Sequence, residues 1–207
     1  METFLQILKA LESVAIIVAS CTAVLGINAW RREHIGRKKL DLAEETLLLF
    51  YQARDVIRYM RNPIGRVEEG ETRKKDSKES EKQTKARNEA HVPFERFDSS
   101  KETFNRLQAL RYRFIIYFNE EHGKNFDEIR KIVHEIFYAA RRLAEIWEYD
   151  FDRLSPDRRT MLDTERKKHE GIFWDEGEDD AINKRLNNAI QAIETVCKAE
   201  IKKATAA

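Results

Sequence analysis

Three arginines at helical spacing form a candidate phosphate-binding site. Arg54, Arg58 and Arg61 recur every three or four residues, so a helix would carry them along one side. A guanidinium group binds phosphate through paired N–H donors, whether the phosphate belongs to a lipid, a nucleotide or RNA. Glu44 and Glu45 stand just upstream, and the alternative interpretation is a solvated or ion-paired helix face.

The histidines and carboxylates give little support to metal chemistry. A di-iron carboxylate bundle needs Glu-x-x-His pairs that place both ligands on one helix face, and the sequence contains none. The histidines lie in different segments: His34, His91, His122, His134 and His169. The acidic run from Asp175 to Asp180 lacks the spaced oxygen ligands of a calcium loop, and acids at the start of a helix offset its dipole. We therefore predict neither a metal nor a cofactor.

Residues 111–118 alternate basic and aromatic side chains, a pattern that could suit nucleic-acid binding. The same aromatics continue a three-and-four stripe that includes Phe104, Leu107 and Phe114, so we interpret them as the core face of a helix. Over the whole chain, Lys+Arg 38 nearly cancel Asp+Glu 37, which leaves no basic field. Nucleic acid is therefore not favoured as a partner.

The composition indicates an all-α protein. Only 7 Gly and 3 Pro occur in 207 residues, and the residues that favour helices dominate. The length suits one core with additional segments. Cys21 and Cys197 lie at opposite ends of the chain, and we expect both to be reduced thiols, as in a cytoplasmic domain.

An uncharged apolar segment covers residues 14–30, with the sequence VAIIVASCTAVLGINAW. With the apolar residues before it, this segment forms a helix of roughly 40 Å at about 1.5 Å per residue, which is long enough to cross a bilayer. A cleavable signal peptide is the alternative, but such a peptide carries its basic residues before the apolar run. Here the basic cluster comes after the run, so we predict an uncleaved transmembrane anchor.

The flanking charges predict the orientation of the anchor. The basic side chains that follow it are Arg31, Arg32, Arg37, Lys38 and Lys39. Before it, Lys9 is opposed by Glu2 and Glu12. Because positive flanks stay inside, we expect a single-pass protein of the inner membrane, with its N-terminus outside and the rest of the chain in the cytoplasm. Trp30 would lie at the interface and the basic cluster near anionic headgroups.

Small residues recur along one side of the predicted span: Ala15, Ala19, Ala23 and Gly26. Such a stripe lets a second helix approach closely, and homo-oligomerisation is one interpretation. The alternative is ordinary composition, because alanine and glycine are common in membrane helices.

Four segments follow from these patterns. Residues 1–30 form the anchor, and residues 31–66 form a membrane-proximal amphipathic helix that can continue the anchor as one rod, because only Gly36 interrupts it. Residues 67–96 are rich in charge and poor in apolar side chains, which indicates a loop or disordered linker, with a charged helix as the alternative. Residues 97–207, with the membrane-proximal helix, form the bundle.

Caps and breakers divide the last segment into helices. A Ser99-x-x-Glu102 capping box begins one helix that ends near residue 120, and others cover about 125–151 and 179–203. Ser155-Pro156 begins a shorter one that ends near His169. The predicted fold is therefore all-α, with one N-terminal transmembrane helix followed by a cytoplasmic four- or five-helix bundle.

Two segments resemble a group of bacterial proteins of uncharacterised function: AWRREHIGRKKLDLAEETLLLFYQARDVIRYMRNPIG and VPFERFDSSKETFNRLQALRYRF. In that group, one N-terminal span precedes a helical cytoplasmic domain. The resemblance covers less than half of the chain and carries no named chemistry. It implies the architecture and a bacterial origin.

The architecture is also similar to that of small membrane accessory proteins of RNA-targeting CRISPR systems. These proteins join one N-terminal span to a helical nuclease-like domain and assemble into membrane pores. Their nuclease superfamily uses an arginine and a histidine separated by four to six residues. This chain offers Arg87 with His91 and Arg130 with His134, each one residue short of that spacing. Arg130 and His134 would share a helix face, so the resemblance implies RNA cleavage as an alternative function.

Two hypotheses follow. The first is a non-enzymatic, membrane-anchored homo-oligomer that recruits a cytoplasmic protein through its bundle or lines a pore. The second is a membrane-tethered, RNA-cleaving defence effector that uses Arg130 and His134.

Overall fold

The computed structural model describes residues 2–66, 68–177 and 179–205, and each regular element in these ranges is helical. The α-helices are α1 (Glu2–Arg61), α2 (Glu81–Asp98), α3 (Lys101–Tyr117), α4 (Gly123–Trp147), α5 (Pro156–Phe173) and α6 (Ala181–Thr205). Short 3₁₀ turns, Glu120–His122 and Phe151–Arg153, precede α4 and α5. The predicted all-α class is confirmed.

α1 is one unbroken helix of 60 residues, which at about 1.5 Å per residue extends for about 90 Å. Gly36 lies within it and costs only about 1 kcal/mol relative to alanine. The helix ends at Arg61, two residues before Pro63, because proline lacks the amide donor and disfavours helical geometry in the residue before it. The predicted rod is confirmed, since the apolar segment and the membrane-proximal helix form a single element.

The bundle is built on the second half of α1. This helix packs against α6, α3 and α2, while α4 packs against α2, α5 and α6. The buried apolar face of α1 comprises Leu42, Ala43, Leu47, Leu49, Phe50, Ala53, Ile57 and Met60. Each large apolar side chain that is fully buried contributes about 1.5–3 kcal/mol. The core of the bundle therefore begins at residue 42, well after the apolar segment.

Residues 81–98 form α2, where the sequence predicted a loop or linker. Ser80 caps this helix, because its hydroxyl accepts the Gln83 amide at 3.3 Å while the Gln83 side chain accepts the Ser80 amide at 3.0 Å, which is a capping box. Ala86, Ala90 and Val92 are buried, and two larger side chains of α2, Phe94 and Phe97, pack against Phe137 of α4. The linker interpretation was wrong for this part, and the alternative, a charged helix, is correct, because these apolar side chains seat α2 on the bundle.

The residues between α1 and α2 that the structure describes, 62–66 and 68–80, are here called the strap. The amides of Gly70 and Thr72 donate to the Glu95 carboxylate at 2.5 and 2.9 Å. Arg73 donates to the Asn88 side chain at 2.7 Å. A charged segment that is poor in apolar residues is thus held on α2 by hydrogen bonds, and composition does not reveal this.

The boundary between α2 and α3 differs from the predicted one. Ser99 is the C-cap of α2, and its hydroxyl donates to the Arg96 carbonyl at 2.7 Å. Ser100 is the N-cap of α3 and makes no side-chain capping bond. The predicted Ser99-x-x-Glu102 capping box is therefore wrong. The Ser99 hydroxyl is already engaged with the preceding helix.

Candidate functional site

The first functional feature is the half of α1 that lies outside the bundle. Residues 14–35 are exposed, and their large apolar side chains include Leu25, which is 66% exposed. α1 is long and apolar enough to cross a membrane, and the apolar window of this helix has no buried residue. A signal sequence would meet the same criteria of length and composition. The core helix of a soluble protein would also meet them, but its apolar residues would be mostly buried, and those of this window are not.

The predicted small-residue stripe lies on one face of α1, and all its members are exposed: Ala15, Ala19, Ala23 and Gly26. At about 100° per residue they fall within roughly 80° of one another. Leu48, an exposed residue of the bundle half, lies about 20° from Ala23 around the helix, whereas the buried Ile57 lies about 160° away. The bundle therefore packs on the side of α1 opposite to the stripe.

The basic cluster that follows the span, Arg31, Arg32, Arg37, Lys38 and Lys39, lies between the exposed and the buried halves of α1. Arg37 donates to Glu33 at 2.5 Å. The Trp30 ring stacks on His34, with centroids 5.4 Å apart. The Lys39 ammonium lies 6.0 Å from the centre of the Phe118 ring, so the bundle first meets α1 at this level.

The three arginines of the predicted phosphate site have different environments. Arg54 is half-buried, lies 5.3 Å from the Tyr51 ring centre and donates to Asp55 at 3.1 Å. Arg58 is also half-buried. Arg61 is fully buried and therefore cannot reach a phosphate in solvent. The buried position of Arg61 removes it from the candidate phosphate site, and phosphate binding by the partly exposed Arg54 and Arg58 stays a prediction.

Arg61 joins the far end of α1 to the end of α5. Its guanidinium donates to the carbonyl oxygens of Gly171, Ile172 and Trp174 at 3.0, 2.8 and 2.6 Å. It also pairs with the Asp180 carboxylate at 2.5 Å. The last carbonyl groups of a helix lack partners within that helix and favour positive charge. Arg61 thus donates to the last carbonyl groups of α5, which have no donor within α5 itself.

Asp180 links this cluster to the start of α6. Its carboxylate accepts the Asn183 amide at 2.7 Å and the Glu176 amide at 3.3 Å, as an N-cap residue does. Burial acts to raise the pKa of Asp180, but the hydrogen bonds from Arg61 and the two amides outweigh it and lower the pKa below its ordinary value. We expected the acidic run to offset the dipole of α6. Asp180 lies at the start of α6, which agrees with that expectation. Its bond to Arg61 also links the start of α6 to the far end of α1, and the sequence did not indicate this link.

Arg96 forms a second buried cluster at the same end of α1. This α2 side chain donates to the carbonyl oxygens of Tyr59 and Asn62, each at 2.7 Å, and to the Glu69 carboxylate at 2.6 Å. Arg96 therefore caps the end of α1 in the same way that Arg61 caps the end of α5. Sequence reasoning missed Arg96 because it falls in the segment predicted to be a linker.

Glu79 fastens the strap to α2 and α4. Its carboxylate accepts from Arg73 and, at 3.1 Å, from Arg87, and Arg87 also donates to Glu148 of α4 at 2.5 Å. The hydrogen bond from Arg73, only partly opposed by burial, holds the pKa of Glu79 at about 2. Arg87 is thus committed to two carboxylates, which makes it a poor partner for His91 in catalysis.

Arg130 and His134 are exposed on α4 and separated by one helical turn, as their spacing predicts. Arg130 donates to Asp127 at 3.3 Å on the same helix. Exposed pairs at this spacing are typical of a solvated helix face and contribute little energy. Use of this pair in RNA cleavage stays a prediction.

Metal-ligating side chains are dispersed over the described part of the chain, where no group of three or more His, Cys, Asp or Glu residues is placed to hold a metal ion. Cys21 and Cys197 are free thiols, one in the exposed half of α1 and one in the core. Burial raises the pKa of Cys197 to about 12, so this thiol is a packing residue and not a nucleophile.

A cavity of about 510 Å³ lies beside the far end of α1, between the strap and α2. Its charged lining includes Glu71, Glu81, Arg66 and Lys85, and Trp174 also contributes to its wall. Because both signs of charge are present, the lining does not favour an ion of either sign.

Comparisons with protein-family models, with curated proteins and with solved structures give no match. Function is therefore inferred from the geometry of α1 and the bundle.

Proposed function

We propose that this chain is a membrane-anchored helical interaction module, with the first half of α1 in a bilayer and the bundle in the cytoplasm. The observation that carries the proposal is the change of environment along one unbroken helix. Side chains 14–30 are uncharged, mostly apolar and exposed, whereas the same helix is buried in the core from Leu42 onward. A bilayer removes the apolar half from water, and the helix needs no break to enter it.

The flanking charges support insertion into the inner membrane with the N-terminus outside. The basic cluster lies around α1 directly after Trp30, and its members are exposed or half-buried. Positive residues next to a span remain on the cytoplasmic side. The bundle follows the cluster on the same helix, so it would lie on that side as well.

Self-association through the span is the second part of the proposal. Small residues allow two helices to approach closely in lipid. The bundle occupies the opposite side of α1, so it would not obstruct a second chain that packs along the stripe of Ala15, Ala19, Ala23 and Gly26. Pairing of the spans would therefore bring two bundles together at the membrane surface, where they could recruit a cytoplasmic protein.

The hydroxyl side chains of the span do not call for a water-filled lumen, so the proposal keeps to a scaffold that brings bundles together. The hydroxyls of Ser20 and Thr22 donate to the carbonyl oxygens of Ile16 and Val18, each at 2.8 Å. These bonds satisfy the hydroxyl donors within the helix, as in an ordinary lipid-facing span.

Membrane insertion can be tested with single cysteines and a thiol reagent that does not cross membranes. In intact cells, Thr3→Cys should be labelled and Ser77→Cys, on the exposed strap, should be protected until the cells are lysed. Both variants should remain in the membrane after alkaline extraction. Labelling of Ser77→Cys in intact cells would overturn the orientation, and release by alkali would overturn the anchor.

Self-association can be tested by enlarging the stripe. The Ala19→Leu, Ala23→Leu variant stays apolar and should still insert, but it should lose its oligomer, because bulky side chains hold the two helices apart. The measurement is native mass spectrometry of the solubilised particle. The control is Ile17→Leu, Val24→Leu, on the opposite side of the helix. A monomeric parent, or an unchanged oligomer in the stripe variant, would remove association through the span.

A further inference from the structure

The cavity between the strap and α2 has free charges of both signs in its wall. It measures about 510 Å³, which is within the usual range for sites that hold small molecules. One charged pair of the wall is satisfied internally, because Glu69 pairs with Arg96 at 2.6 Å. Within the part of the chain that the structure describes, the side chains of the other charged lining residues make no hydrogen bond or close ion pair: Arg66, Glu71, Glu81, Lys85 and Glu89.

Arg66 lies at one end of the cavity, level with the last turns of α2. Its amide donates to the Glu69 carboxylate at 3.2 Å, and Glu69 in turn binds Arg96 of α2. A side chain on the preceding residue, Gly65, would begin 3.1 Å from the Arg96 guanidinium. Glu71 also belongs to this end and makes no ion pair with Arg66. The backbone of Arg66 is therefore held beside Arg96, while its exposed guanidinium is free to bind an anion.

Glu89 marks the negative end of the cavity. It precedes Arg96 by seven residues, which corresponds to about 10 Å along α2. Glu81, Lys85 and Glu89 follow one another at four-residue intervals, so this row of α2 carries one negative charge in excess. Burial raises the pKa of Glu89, Lys85 opposes this rise, and the Glu170 carboxylate of α5 adds to it. Two carboxylates of different helices thus approach each other at this end.

The neighbours of Glu170 leave this negative charge largely uncompensated. Its carboxylate accepts the Trp147 indole N–H at 3.1 Å. Arg166 lies 3.9 Å away but is paired with Asp163 at 2.6 Å. Trp174 follows Glu170 by one helical turn and forms part of the cavity wall. An aromatic side chain beside free carboxylates is a suitable environment for an organic ammonium group.

We propose that the cavity binds a small zwitterion, such as a dipeptide, with its ammonium group at Glu89 and Trp174 and its carboxylate at Arg66. A guanidinium binds a carboxylate through two parallel N–H donors. The terminal charges of an extended dipeptide are roughly 7 Å apart, and the side chains of Arg66 and Glu89 can reach them from positions about 10 Å apart along α2. A molecule with a single charge would leave one of these two ends unpaired.

Equilibrium dialysis of the full-length protein in detergent against radiolabelled alanyl-phenylalanine measures the binding. The N-acetylated dipeptide lacks the ammonium group, and the dipeptide amide lacks the carboxylate. Arg66→Gln and Glu89→Gln each remove one partner, and thermal unfolding followed by circular dichroism checks that both variants fold. The matched controls are Arg113→Gln and Glu68→Gln, because both residues are exposed and lie outside the cavity wall.

We expect saturable binding of one dipeptide per chain. Either blocking group, and either cavity variant, should weaken it several-fold, whereas the two control variants should bind as the parent does. Glu89→Gln should not weaken the acetylated form further, and Arg66→Gln should not weaken the amide further, because the group that each residue binds is already absent.

No saturable binding by the folded parent, or equal binding of the blocked and unblocked dipeptides, would overturn the proposal. If only acetylation weakened binding, the cavity would be a site for a simple organic cation, and the zwitterion would be excluded. The cavity is formed by the strap and the bundle, so each of these outcomes leaves the membrane anchor and the association of the spans to their own tests.

Discussion

Replacing Arg61 with methionine tests whether the far end of α1 is fastened as its hydrogen bonds indicate. Methionine keeps an unbranched side chain but leaves the carbonyl groups of Gly171, Ile172 and Trp174 without their donor and removes the partner of the buried Asp180. Breaking a buried ion pair from one side costs about 3–5 kcal/mol. For a protein of this size each kcal/mol lowers Tm by roughly 2–4 °C, so Tm should fall by roughly 6–20 °C.

The assay is thermal unfolding of the full-length protein in detergent, followed by circular dichroism. Arg54→Met is the control, because Arg54 lies on the same helix but is partly exposed and pairs with an exposed aspartate, so its loss should cost less than about 1 kcal/mol. Combining Arg61→Met with Asp180→Asn should cost less than the sum of the two single changes, since the two side chains share one set of bonds. If Arg61→Met melted at the temperature of the control, the cluster would not stabilise the fold.

Three further outcomes are expected. The pKa of Glu79 is lowered from an ordinary 4.5 to about 2. The Glu79 carboxylate therefore stabilises the fold fully above pH 4.5, and this stabilisation is lost as the pH falls through 2. The difference in urea midpoint between the parent and Glu79→Gln should shrink over that range. Gly70→Ala should destabilise by about 1–3 kcal/mol in urea unfolding, because the residue has φ +87° and a Cβ would collide with the α2 backbone. Gly177→Ala, with φ +102° and open space around it, should cost less. If the purified parent cleaves RNA, the Arg130→Ala, His134→Ala pair should abolish the cleavage; a parent without cleavage, or an active pair, would remove the catalytic hypothesis.

The course of α1 could be predicted from sequence because its signals are local. The apolar run, the three-and-four periodicity after it and the first strong breaker at Pro63 all lie within one stretch of chain. Their spacing also fixes which residues share a face, so the exposed stripe and the buried side follow from about 100° per residue. What periodicity could not show is which face the bundle covers. Periodicity therefore could not show that Arg61 is buried while Arg54 remains partly exposed.

The clusters at the far end of α1 could not be predicted, because their partners are distant in sequence. Arg61 and Asp180 are 119 residues apart, and no local pattern relates two such charges. For α2, a helix was only the alternative interpretation, for a different reason. Its composition is that of a solvated segment, and its charges are satisfied by α4 and the strap, as Arg87 is by Glu148 and Glu79. The usable signal was the Ser80-x-x-Gln83 capping box, which forms the N-cap and first turn of the helix.

The unbroken helix gives the proposed association a definite geometry. α1 has a fixed number of residues per turn. The number of residues between the span and the bundle therefore sets which side of the span the bundle lies on. Ala23 and the exposed Leu48 share a face across that distance, and the packed side of α1 lies opposite. Two chains that met along the stripe would hold their bundles on the outer sides of the pair. Each α1 is packed into its bundle from Leu42 onward and fastened at its far end by Arg61 and Arg96, so a bundle would turn together with its span.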